Sequence, residues 1–324
     1  MRINFIVEDL LLFKYVGCST AARMLFHALK GTENLNIEWN SNKRDFDIVH
    51  FHTFGPRALL YRSLSGGVKI LTAHSTPRLN QENLAFSGLI NRFYPHVYRG
   101  FDHIIAFSTL SKEEAAYIAP EVPVTIIPNG VDRDYFQRDE GAGTAFRERY
   151  GIREGRVVLT VAQLTPRKGI YEFLKLARGH PDITWVWVGG FPYGPISRDY
   201  LKIRRIRERS GENVIFTGFV EDIREAYSGA DLFFMPSYAE GMPIVLLEAL
   251  SMGLPCVVRD IPEFREIFDK DGLYFGSLEE AGRIITSDEK LYQMSKRARQ
   301  WSERYDIRRV AQLHAALYRR LIGG

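Results

Sequence analysis

Four side chains in this 324-residue chain have the types and spacing to do chemistry: His74, Lys168, Glu240 and Glu248. Glu240 stands just ahead of an apolar helix that Pro243 opens and Gly253 closes, with Pro255 beyond. A helix start offers unpaired N–H groups and the positive end of the helix dipole, so the turn through Gly241, Met242, Pro243 and Ile244 favours an anion. Glu248 falls in the second turn of that helix, among Val245, Leu246, Leu247, Ala249 and Leu250. A carboxylate there is costly unless it finds a partner. From Pro243 to Glu248 a helix rises roughly 7 Å at 1.5 Å per residue. That is too far for the ~5 Å carboxylate pair of a retaining glycosidase. It suits the two ends of one long polar ligand with phosphates between them, as in a nucleotide sugar. Each carboxylate alone also has a plain structural reading: a helix-start anion for Glu240, an arginine partner for Glu248.

The cation for such a ligand comes from another strand end. Arg156–Ala162 reads as a strand, followed by Gln163-Leu164-Thr165-Pro166-Arg167 and then Lys168-Gly169 at a helix start, which together make a phosphate site. His74 follows the strand Val68–Thr72, at the C-terminal end where open α/β sheets bind ligands. A satisfied loop histidine is its plainer reading. The strand Trp185–Val188 ends in Gly189-Gly190, and Val214–Gly218 runs into Phe219-Val220; these turns offer backbone groups to a nucleobase. Gly17 precedes an amphipathic helix from Ser19 to Lys30 and reads either as a tight turn or as a place of close ligand approach.

His50 and His52 share one face of the strand Asp47–His52. Without a third ligand nearby they read as hydrogen-bonded strand-end histidines. Asp132-Arg133-Asp134 and Asp45-Phe46-Asp47 read as turn chemistry. No metal is therefore expected at these residues.

Around these residues the chain alternates strands and helices, the grammar of doubly wound α/β domains. Its length suits two domains, expected at 1–138 and 139–305, with a helix over about 306–324 packing back on the first. The composition, 45% hydrophobic and 25% charged, is that of a globular protein. Two distant cysteines, Cys18 and Cys256, make neither a disulfide framework nor a metal spacing, which fits a reducing cytoplasm. Acidic Glu8 and Asp9 argue against a signal peptide, and no apolar run is long enough to span a bilayer. No basic motif for nucleic acid is present.

Net charge is +4, yet Pro56–Gly100 alone carries Arg57, Arg62, Lys69, Arg78, Arg92 and Arg99 against Glu82. Leu84–Tyr98 is expected to form a helix, ended or kinked at Pro95, with Phe86, Leu89, Ile90, Phe93 and Val97 on one face. That face is either core or a dock for an anionic membrane surface.

Taken together, Glu240-Gly241-Met242-Pro243, the second glutamate at Glu248 and Gly253-Leu254-Pro255 resemble the signature of the family 4 retaining glycosyltransferases. The resemblance runs from Gly17 to Phe268. It implies the GT-B fold, two Rossmann-like doubly wound domains facing across a cleft. It also implies transfer of a hexose from a nucleoside-diphosphate sugar to an acceptor hydroxyl, with retained configuration, no metal and no tightly bound cofactor. In it Glu240 contacts the sugar, Glu248 the ribose hydroxyls, Lys168 the diphosphate, and His74 the transferred sugar near its reactive carbon. Gln163 stands where family members usually carry arginine, which removes one charge from the phosphate site unless Arg167 compensates.

The strings VAQLTPRKG, WVGGFPYGPIS and VVRDIPEF are similar to those of bacterial membrane-glycolipid enzymes. They imply a lipid-linked acceptor, UDP as the donor base, and work in the cytoplasm at the inner membrane face. Two other readings stay open: a nucleotide-sugar epimerase or hydrolase on the same fold, and a binding protein without catalysis.

Overall fold

The computed structural model describes residues 1–8, 17–80, 87–152, 154–191 and 194–323. Strands β1 (Arg2–Ile6), β2 (Asn36–Trp39), β3 (Ile48–Phe51), β4 (Val68–Thr72), β5 (His103–Ala106) and β6 (Val124–Ile126) form one sheet, ordered β2-β1-β3-β4-β5-β6. Strands β7 (Val157–Val161), β8 (Thr184–Val188), β9 (Val214–Gly218), β10 (Leu232–Met235), β11 (Cys256–Arg259) and β12 (Leu273–Phe275) form the second, ordered β12-β11-β10-β7-β8-β9. Every pairing is parallel. Helices cover both faces, so β3, β5 and β10 are buried at every position; β10 reads as an unbroken apolar run, and β3 and β5 are apolar but for His50 and His103.

The second sheet has the Rossmann order, and its winding reverses between β7 and β10. In the first sheet the reversal lies between β1 and β3. Ligands of open α/β sheets bind beyond the strand ends at such reversals. The expected strand–helix–strand unit around Glu240 is β10, the helix Ile244–Ser251 and β11. Leu246, Leu247, Ala249 and Leu250 are buried beneath it, and Gly253, at φ 76°, turns the chain out of the helix.

The chain crosses between the domains at two places that lie side by side. Val131 N–H donates to the Tyr305 carbonyl at 2.8 Å, and Ile307 N–H donates to the Val131 carbonyl at 3.0 Å. Beyond the second crossing, the helix Ile307–Gly323 lies on the first sheet. Its Val310, Ala311, Leu317 and Tyr318 share a core with Ile3, Phe5, Leu25, Ile70 and Ile105. The Tyr318 hydroxyl meets His50 Nδ1 at 2.7 Å.

One local expectation changes. The helix expected over Leu84–Tyr98 is two short helices, Ser87–Asn91 and Tyr94–Tyr98, and residues 84–86, including Phe86, lie outside the described residues. The break precedes Pro95 because Pro95 sits in the first turn of the second helix, where its missing N–H costs no bond. Val97 is core, while Leu89, Ile90 and Phe93 are exposed. Among the described residues, no helix is long and apolar enough to cross a membrane.

Candidate active site

The loops after β7 and β10 meet at the reversal of the second sheet. Gly169, at φ 77°, permits the meeting, since a Cβ there would lie 2.4 Å from the Pro236 carbonyl oxygen. The approach brings Lys168 Nζ to 2.6 Å from Glu240 Oε1 and Arg167 Nη1 to 3.4 Å from Glu240 Oε2. Arg167 also donates to the Ala239 carbonyl, and the Glu240 N–H donates to Glu263 Oε1 at 3.2 Å. Glu240 itself is 4% exposed.

Burial opposes ionisation of Glu240, but Lys168 and then Arg167 outweigh it and hold the carboxyl below its ordinary range. Burial draws the Lys168 amine down, against the pull of Glu240. The pair is thus an ionised, desolvated ammonium–carboxylate contact. The Arg167 guanidinium is turned onto the Glu240 loop. The Gln163 amide oxygen is buried with no hydrogen-bond partner among the described residues.

Glu248 has a tyrosine for a partner, where the sequence suggested an arginine. The Tyr227 hydroxyl lies 2.8 Å from Glu248 Oε2 and 3.1 Å from the Val245 carbonyl. Burial raises the Glu248 carboxyl to about 7, against the opposing Tyr227 bond. The folded state therefore holds this proton more tightly than the unfolded chain does. Its stabilising effect is full at acid pH and is lost as pH rises from the ordinary carboxylate range through about 7. Glu248→Gln is expected to remove that loss, worth about 3 kcal/mol at 1.36 kcal/mol per unit, so thermal melts of variant and wild type should diverge between pH 5 and 8. Parallel melts would overturn a raised Glu248 carboxyl.

The turns expected at the nucleobase lie together. A Cβ on Gly190 would stand 3.1 Å from the Phe219 ring, and Gly189 N–H donates to the Gly218 carbonyl at 2.7 Å. Phe219 is exposed, and Val220 packs against the core. Gly17 opens its helix with space around it: a Cβ there would meet no described atom within 4 Å, so no internal contact demands glycine.

From the first domain, His74 Nε2 lies 3.2 Å from His52 Nδ1. Its ring is 4.9 Å from that of Phe107, and Phe107 also packs 3.6 Å from the Cβ direction of Gly241. Burial, and then the nearby His314, lower His74 to about 3, so its imidazole is neutral. His50 bonds Thr72 Oγ1 at 2.6 Å and Tyr318, as strand-end histidines do. Asp132 Oδ1 accepts from the N–H groups of Asp134 and Tyr135, closing a turn. Asn129 Nδ2 donates to the Met242 carbonyl at 2.7 Å, a further tie from the first domain to the Glu240 turn.

Lys168, Arg167 and Glu240 are thus in mutual contact, and Gly190 and Phe219 form a second group. Glu248 sits with Tyr227, and His74 faces the Gly241 turn through Phe107. Sequence reasoning missed Tyr227, Glu263, Arg78 and the role of His52. Glu263, early in the helix after β11, was the one with a positional signal.

Residues 144–305 match the family described as "Glycosyl transferases group 1", and residues 23–135 match "Glycosyltransferase Family 4". The chain is 32% identical over 262 residues to the alpha-galactosylglucosyldiacylglycerol synthase of Streptococcus pneumoniae, covering 76% of this chain and 68% of that protein. It is 31% identical over 269 residues to the processive diacylglycerol alpha-glucosyltransferase of Acholeplasma laidlawii, covering 80% of each. Among solved structures, Anabaena HepE in complex with UDP-glucose superposes with TM-score 0.81 at 19% identity, covering 98% of this chain and 99% of that one. WaaG, a glycosyltransferase involved in lipopolysaccharide biosynthesis, superposes with TM-score 0.71 at 17% identity over the whole of both chains. The paired parallel sheets and these likenesses show the GT-B fold, and the matched family and relatives show that this chain belongs to glycosyltransferase family 4 and is a glycosyltransferase.

Proposed function

We propose that the enzyme transfers a hexose from a UDP-sugar to a hydroxyl of a lipid-linked acceptor, with retained anomeric configuration. The observation that carries this reading is the Lys168–Glu240 contact at the reversal of the second sheet, with Glu248 one helix turn beyond the Gly241–Ile244 start. Diphosphate oxygens would lie against Lys168 and the helix start, the ribose against Glu248 and the base by Gly190, Phe219 and Val220. The sugar would lie between Glu240 and His74. Two relatives named as diacylglycerol glycolipid enzymes support the acceptor class.

In the reaction the bond from the anomeric carbon to the diphosphate oxygen breaks. The acceptor oxygen takes that carbon, and the acceptor's proton leaves with the diphosphate. Charge grows on the leaving group, where Lys168 stabilises it. Both Glu240 oxygens are engaged by cations, which makes this carboxylate a poor nucleophile and favours front-side attack by the acceptor.

The test is a panel of labelled UDP-glucose, UDP-galactose and GDP-mannose with diacylglycerol and glucosyldiacylglycerol, products separated with and without excess chelator. Glycolipid formed in chelator is expected. Free sugar or epimerised donor without acceptor would favour the epimerase or hydrolase. Activity restored only by manganese would overturn metal independence.

The acceptor implies work at an anionic membrane face, and the first domain has a surface for it. Leu60 and Leu64 on the helix Pro56–Leu64 and Leu89, Ile90 and Phe93 are exposed, with Arg57 and Arg92 beside them. Arg62 ties the two regions by donating to the Val97 carbonyl at 2.8 Å. Arg99 pairs with Glu121. Each basic residue near such a surface adds about 1 kcal/mol, screened by salt. At low salt the wild type should float with vesicles of anionic lipid, and the triple variant Arg57→Glu, Arg92→Glu, Arg99→Glu should not. Equal flotation of both proteins, or none, would remove the docking surface.

A further inference from the structure

We propose that Arg78 and Glu263 form a latch between the domains that sets Glu240 for reaction only when the cleft is closed. Arg78 follows His74 by four residues, in the short helix Pro77–Asn80 of the first domain. Its Nε is held within that domain by Glu114 Oε1. Its Nη2 reaches across to Glu263 Oε1 at 2.7 Å and to the Glu240 carbonyl at 3.4 Å. The same Glu263 oxygen accepts the Glu240 N–H at 3.2 Å.

Glu240 is therefore held at four atoms: N–H by Glu263, carbonyl by Arg78, and the two side-chain oxygens by Lys168 and Arg167. Of these four, the Arg78 bond is the one from the opposite domain. The Glu263 side chain is 2% exposed, so closure without Arg78 would bury a carboxylate without its cation, which is strongly disfavoured. Opening returns Glu263 to water and loosens its grip on the Glu240 backbone. Arg78 is thus a positioning residue: it acts on the sugar through Glu240. This rests on the reading that Glu240 meets the donor sugar.

A second contact between the domains supplies the control. Glu266, one turn along the same helix, accepts the Thr109 N–H at 3.1 Å with both oxygens. It helps closure without touching the Glu240 loop. The experiment measures kcat and KM for transfer, UDP affinity by calorimetry and the melting temperature of each variant. Arg78→Ala and Glu263→Ala should each lower kcat by up to about 10²-fold, the scale of a small misplacement of a reacting group, while UDP affinity stays near wild type. Glu263→Gln, which keeps an acceptor oxygen, should recover part of the rate. The double alanine variant should lose no more than either single one.

Glu266→Ala should lose far less than Arg78→Ala. Equal losses in those two variants, or additive losses in the double variant, would overturn the latch in favour of simple closure. UDP affinity falling in parallel with kcat would overturn it too. If Arg78→Ala destabilises the fold, Arg78→Lys keeps the cation but cannot bridge both acceptors, and it should still lower kcat. Wild-type kcat in Glu240→Gln would overturn the sugar-binding reading itself. A slow Glu240→Gln beside a fast Arg78→Ala would overturn the latch alone.

Discussion

Lys168→Ala is expected to lower kcat by about 10²- to 10³-fold, the effect of removing one preorganised donor to a developing oxyanion. Two losses combine in this variant. The diphosphate forfeits its cation as the glycosyl bond breaks, and Glu240 keeps only the Arg167 contact at 3.4 Å as a cationic partner for a buried carboxylate. The Gln163 amide oxygen cannot take over, since it carries no positive charge, and Arg167 is turned onto Ala239 and Glu240. Lys168→Arg should recover little, because a forked guanidinium does not replace a compact ammonium in a buried contact with Glu240. Single-turnover rates with a fixed acceptor measure this directly. A loss confined to KM would mean that Lys168 binds the ground state and transition state alike, and its assigned role would fail.

Glu240→Gln is expected to separate turnover from nucleotide binding. Amide for carboxylate removes a charge-assisted hydrogen bond to the sugar, worth about 1.5–3 kcal/mol, or about 10- to 100-fold in rate at 1.36 kcal/mol per tenfold. Bare UDP does not reach Glu240 in the proposed pose, so its affinity should change little. Glu248→Ala should do the opposite, weakening UDP itself by about tenfold. Calorimetry with UDP alone, set beside transfer kinetics, reads both effects. If the two substitutions weaken UDP equally in folded protein, the assigned poles of the ligand are wrong.

The strongest features of the chain were legible because local chemistry and long-range structure agree at them. Pro243 and Gly253 punctuate an apolar segment that could only be a buried helix, and β10 and β11 flank it as apolar runs. The edge strands β2 and β12 were not legible: Asn36–Trp39 and Leu273–Phe275 are four and three residues long and only partly buried, too short to show a strand period. Within the site, Lys168 and Glu240 could each be named, but their contact spans 72 residues and depends on β7 lying beside β10. Tyr227 gave no signal, since an aromatic near a helix end reads as core until the neighbouring helix is placed. The Arg78–Glu263 pair belongs to neither domain's pattern, because it exists only where the two meet. The helix expected through Arg92 failed for a local reason: Pro95 is better used to begin a helix than to bend one.

The return of the helix Ile307–Gly323 onto the first sheet bears on the order in which the protein can be made. Synthesis delivers β1 to β6 first, then the whole second domain, and only afterwards the residues that cover one face of the first sheet. While the ribosome is still translating β7 to β12, Ile3, Phe5, Ile70, Ile105 and the His50 edge lack the covering later given by Val310, Ala311, Leu317 and Tyr318. The nascent first domain therefore waits with an open apolar face, the condition that invites chaperone binding or aggregation. The second domain, whose sheet runs from Val157 to Phe275, meets no such delay across its strands. The half made second is thus complete in sequence before the half made first.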